Sequence, residues 1–99
     1  MDEWTLEKWE QNKADQDLAI LYLYTPMCGT CAVASKMMEV IHHAKPDLTM
    51  GKANLNYLEA LSVQYQIESV PCLLIAKNGA VTEKIYAFQS IPHILEKIG

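Results

Sequence analysis

The sequence is short of several things, and each shortage excludes a class of protein. It has 8 Lys and Arg against 12 Asp and Glu, a formal net charge of −4, and no basic cluster. The electrostatic footprint of a nucleic-acid binder is therefore missing. No uninterrupted apolar run approaches the roughly 20 residues that cross a bilayer, so no membrane segment is expected. The N-terminus, Met1-Asp2-Glu3-Trp4, is acidic and has no apolar stretch, which is not the pattern of a secretory leader; a cytoplasmic location is expected. Gly and Pro occupy only 4 positions each, while hydrophobic residues make up 51%, which argues against a disordered chain. Cysteines number three, too few and too odd for a disulfide-stapled scaffold. In a reducing compartment such a set points to redox chemistry or metal binding.

What is present fits one domain over residues 1–99, long enough to bury roughly 65% of the surface of the unfolded chain. Trp4 to about Asn12 reads as a helix, with Leu6 and Trp9 sharing a face. Leu18 to Tyr24 is a continuous apolar run of strand length, as expected of a strand covered on both faces. After Thr25-Pro26-Met27 a second helix is expected, with Val33, Met37, Val40, Ile41 and Ala44 on its apolar face. Lys45-Pro46-Asp47 stops it, and Leu48 to Asn54 can form a strand, completing a βαβ unit with parallel strands. Asn56 with Glu59 reads as a capping box for a third helix through Tyr65. Asn78-Gly79 between Cys72–Ala76 and Val81–Tyr86 signals a two-residue hairpin, and Ser90 with Pro92 opens a last helix. The order is αβαβαββα.

The chemistry sits at Cys28-Gly29-Thr30-Cys31. A C-x-x-C pair beside a βαβ pattern is the signature of a dithiol redox site. Its turn leads straight into a helix, so Cys28 lies where unpaired N–H groups and the helix dipole favour a thiolate. Lowering a thiol from about 8.5 to about 7 raises its ionised fraction at neutral pH from roughly 3% to roughly half. Cys28 is thus the candidate nucleophile, and Cys31, one turn inside, the resolving thiol.

With Val70-Pro71 before an apolar strand and Lys77-Asn78-Gly79 at a hairpin turn, the chain from about Trp4 to Gly99 resembles thioredoxin. The resemblance implies an α/β thioredoxin-like fold with helices on both faces of a mixed sheet. It implies thiol–disulfide exchange with protein disulfides and a cis Pro71 beside the reactive pair. Val70 would offer its backbone to an extended substrate, and Met27 would form an apolar rim. Electrons would come from a thioredoxin reductase-like flavoprotein or a small thiol. No cofactor is expected beyond the Cys28–Cys31 disulfide, and a monomer is expected.

Several residues depart from the family pattern. Thr30 stands where thioredoxins usually carry proline, which tends toward a more oxidising couple. Tyr22 stands where the family has a buried carboxylate that helps deprotonate the resolving cysteine, and a phenol with a pKa near 10 is a poor base. Lys52 matches the lysine that partners that carboxylate. Lys36 replaces a helix-bending proline, so a straighter helix is expected. The family's first edge strand has no counterpart in the sequence pattern, which predicts four strands. Cys72, directly after Pro71, reads first as a small buried residue, with a regulatory pairing to Cys28 or Cys31 as the alternative. A zinc or iron–sulfur site using Cys28, Cys31, Cys72 and a histidine, or a redox sensor with little turnover, is the competing function.

Overall fold

In the computed structural model, which describes residues 1–99, the chain runs β1 (Asp2–Glu3), α1 (Leu6–Asp15), β2 (Leu18–Tyr24), α2 (Gly29–Ala44), β3 (Thr49–Asn54), α3 (Glu59–Gln64), β4 (Cys72–Lys77), β5 (Ala80–Ile85) and α4 (Ile91–Ile98). The strands form one mixed sheet in the order β1-β3-β2-β4-β5. The apolar run of β2 is central, parallel to β3 and antiparallel to β4. Its residues Ala19 to Leu23 are all buried, as a strand covered on both faces requires.

Alternation along the strands divides the core in two. Ile20, Tyr22, Leu73 and Ile75 join Ala34, Met38 and Ile41 of α2 and Ile94 and Ile98 of α4. Leu21, Leu23, Cys72 and Leu74 join Trp9 of α1 and Leu61 of α3. Helices α2 and α4 therefore cover one face, α1 and α3 the other, which is the thioredoxin-like α/β arrangement.

The four-strand expectation is corrected to five. Asp2 and Glu3 pair in parallel with Gly51 and Lys52 of β3, and the next residue, Trp4, donates its N–H to the Lys52 carbonyl at 2.8 Å. Two exposed acidic residues carry no alternation to read, and what seats this edge is the Trp4 ring on the bare backbone of Gly51. A second correction concerns α3. Asn54, not Asn56, supplies the local cap, accepting the Asn56 N–H at 3.0 Å and opening one 3-10 turn, Leu55–Tyr57. Helix α3 then starts at Glu59 without a side-chain cap.

Helix α2 also turns a different stripe inward than its spacing suggests. Cys31, Ala34, Met38 and Ile41 are buried, whereas Val33 is 64% and Val40 51% exposed. Residues 33, 34, 37, 38, 40 and 41 are all apolar or small, so the spacing admits two stripes, and the sheet selects one. The helix runs unbroken past Lys36. At the hairpin, Asn78 and Gly79 both have left-handed φ, 54° and 88°, the geometry of the tightest two-residue turn. Ser90 caps α4 by accepting the His93 N–H at 3.3 Å, with Pro92 in the first turn.

Candidate active site

Strand β2 hands the chain to Thr25-Pro26-Met27, and Cys28 then becomes the N-cap of α2. Its backbone is extended (φ −95°, ψ 111°), and its sulfur accepts the Cys31 N–H at 3.2 Å. This is the position where unpaired N–H groups and the positive end of the helix dipole favour an anion. Thr30 Oγ1 lies 3.3 Å from the same sulfur. Hydrogen bonds from Cys31 and then Thr30 hold the Cys28 thiol below its ordinary range. Cys31, one turn on, is only 3% exposed. Burial, with the hydrogen bond to Cys28 behind it, pushes the Cys31 thiol up. One turn of helix thus separates an anion-stabilised sulfur from one held as a thiol.

The Val70–Pro71 peptide bond is cis, the form that the resemblance implies. The Val70 carbonyl lies 3.7 Å from Cys28 Sγ and accepts from it when the thiol is protonated. Beside them a groove of about 470 Å³ is lined by Thr30, Val33, Val70, Pro71, Tyr86 and Phe88, among others, with no charged side chain. Met27, 94% exposed, stands next to Cys28 in the chain. Gly29 opens α2 with open space where a side chain would project.

Tyr22 lies fully buried in the layer under α2. Its hydroxyl donates to the Cys31 carbonyl at 2.9 Å and meets Ser35 Oγ at 2.9 Å. Burial pushes its phenol up to about 12, so it keeps its proton throughout the neutral range. Its ring meets Phe88 edge-on and stacks on Tyr24. Lys52 lies across from Tyr22 in the β2–β3 register but makes no hydrogen bond to it; its Nζ sits 6.0 Å from the centre of the Tyr24 ring, and the Tyr24 hydroxyl is taken by Glu3.

Cys72 is placed apart from the pair. It is fully buried in the layer of Trp4, Trp9 and Leu61, on the sheet face opposite α2. Burial pushes its thiol up to about 12. His42 and His43 lie in the last turn of α2, 11 or more residues beyond Cys31, which at about 1.5 Å per residue is about 16 Å away. The four-ligand set considered from sequence is therefore not brought together. Sequence reasoning passed over Ser35, although it stands four residues after Cys31 on the same helix face. It also passed over Tyr86 and Phe88, which enter the groove from beyond β5 and carried no local signal.

Comparison with known proteins gives the same picture. The thioredoxin family model matches residues 2–98. The thioredoxin-like protein YusE of Bacillus subtilis is 44% identical over 93 residues, covering 94% of this chain and 88% of that protein. Among solved structures, a mutant thioredoxin from Halobacterium salinarum superposes with a TM-score of 0.86 at 19% identity, over 99% of this chain and 86% of that one. Mitochondrial thioredoxin 3 from Saccharomyces cerevisiae does so at 0.82 and 20% identity, over 98% and 91%. At those identities the two structures speak for the fold.

Proposed function

The chain belongs to the thioredoxin family, and from that premise we propose that Cys28 and Cys31 reduce disulfides in protein substrates by dithiol exchange. Membership carries the general activity, thiol–disulfide oxidoreduction. The observation that supports these two residues is the Cys28 sulfur at the N-cap of α2, 3.2 Å from the Cys31 N–H.

The Cys28 thiolate attacks one sulfur of a substrate disulfide. That S–S bond breaks, the other substrate sulfur leaves as a thiolate and takes a proton from water, and a mixed disulfide joins Cys28 to the sulfur attacked. Cys31 then loses its proton and attacks Cys28 Sγ. The Cys28–Cys31 bond forms, the second substrate sulfur leaves, and two electrons have passed from protein to substrate. Val70 offers its carbonyl to the backbone of an extended substrate, cis Pro71 shapes the floor, and Met27 makes an adaptable apolar rim. A thioredoxin reductase-like flavoprotein or a small thiol returns the electrons in the cytoplasm. No bound cofactor enters, because the cysteine pair itself carries them.

Turnover of a disulfide-bonded protein, with a chemical dithiol in excess, tests this reading. The wild-type chain is expected to cycle many times, and Cys28→Ser not at all. A chain that oxidises once and does not cycle is a redox sensor instead.

A further inference from the structure

The pair poses a problem for the second half of the exchange. Cys31 is buried and held as a thiol, yet it must become a thiolate to release substrate. The titratable groups near it are Cys28 on its own helix and Tyr22 on β2. Behind Tyr22 stands Tyr24, with Lys52 of β3 over the Tyr24 ring and Glu3 of β1 on its hydroxyl. Phe88 covers another side of Tyr22. No carboxylate is hydrogen-bonded to either Tyr22 or Cys31.

Tyr22 holds the one hydroxyl that reaches the first turn of α2 from the sheet. It now donates to the Cys31 carbonyl at 2.9 Å. That carbonyl lies within a regular helix, where the N–H four residues on is its ordinary partner, so the Tyr22 proton is a surplus donor there. Ser35, 2.9 Å away, anchors the phenol oxygen as a hydrogen-bond partner. The same hydroxyl also neighbours the Cys31 thiol, where as a hydrogen-bond partner it pulls that thiol down against the effect of burial, and turning the O–H to the sulfur leaves no buried group without a partner. The phenol cannot take the Cys31 proton, but it can share its own with the anion left behind.

We propose that the Tyr22 hydroxyl serves the resolving step as a hydrogen-bond donor to the Cys31 sulfur, stabilising the thiolate where a base would otherwise remove the proton. The proton of Cys31 goes through water to the departing substrate thiolate, and Tyr22 ends the step protonated as it began. This rests on the exchange reading above.

The test uses an aromatic disulfide that releases one coloured thiolate when Cys28 attacks and a second when Cys31 resolves, followed by stopped flow across pH. Tyr22→Phe keeps the ring and removes the donor. Its first release is expected to stay within about twofold of wild type, while the second slows by about tenfold, as loss of a hydrogen bond to a charged group implies. The pH at which the second release becomes fast is expected to move upward, because an unsupported thiolate forms only at higher pH. A fluorotyrosine placed at position 22 alone has the same shape and a stronger donor, and is expected to speed the second release. An unchanged second phase in Tyr22→Phe, or both phases slowed alike, overturns the proposal and leaves the exchange reading intact. A wild-type chain with no second release overturns both.

Discussion

Cys31→Ser is expected to convert the chain from a cycling reductant into a trap. Cys28 keeps what activates it in this variant: the N-cap position, the backbone N–H at 3.2 Å and Thr30 Oγ1 at 3.3 Å. It therefore still attacks a substrate disulfide. A serine hydroxyl, far too weakly acidic to ionise there, cannot displace the substrate from Cys28 Sγ, and Cys72 cannot substitute. That third thiol is fully buried in the opposite layer and pushed up to about 12 by burial. Turnover is expected to fall by more than about a hundredfold, as removal of a nucleophile commonly does. Intact mass spectrometry should show one substrate molecule per chain, attached at Cys28. Wild-type turnover in this variant, or an adduct at Cys72, is the contrary result.

The largest effect on stability is expected at Gly51→Ala, in a residue with no part in the chemistry. A Cβ there would lie 2.0 Å from Trp4 Cδ2 and 2.2 Å from Cε2, inside any tolerable contact. The indole cannot easily give way, because its backbone N–H is bonded to Lys52 and its ring stacks on the buried Trp9 at 6.5 Å. Overpacking of this kind costs about 3 kcal/mol, which for a domain near 100 residues lowers Tm by about 12–20 °C. In a Trp4→Ala background the obstructing ring is gone, and the same substitution should cost less than about 1 kcal/mol, a coupling that a double-mutant cycle reads directly. Equal costs in the two backgrounds contradict the contact. The rate of Cys28 attack in folded Gly51→Ala protein is expected to match wild type.

Gly51 also shows where the sequence stops being legible. A glycine inside a strand can mark close approach of another group, but nothing local says that the group is a tryptophan 47 positions earlier or that it seats a two-residue strand. The features that could be read were those with local causes. The unbroken apolar run of β2, the two left-handed residues of Asn78-Gly79, the Ser90 cap and the Cys-x-x-Cys turn into a helix each depend on neighbours in sequence. Those that could not be read depend on the sheet. It chose the Cys31, Ala34, Met38 and Ile41 stripe of α2 over the Val33 and Val40 stripe. It also aimed Tyr22 at Cys31, so that a residue readable only as a poor base stands as a fixed hydroxyl donor beneath the active-site helix.

The proposed exchange requires Cys28 and Cys31 to form one reversible redox couple. The direct measurement is a redox titration in dithiol/disulfide buffers, with mass spectrometry of trapped peptides at each point. A single Cys28–Cys31 disulfide is expected to form reversibly between about −270 and −200 mV, the span of thioredoxins and glutaredoxins, while Cys72 stays reduced throughout. A disulfide that includes Cys72, or a Cys28–Cys31 pair that does not oxidise reversibly, contradicts it.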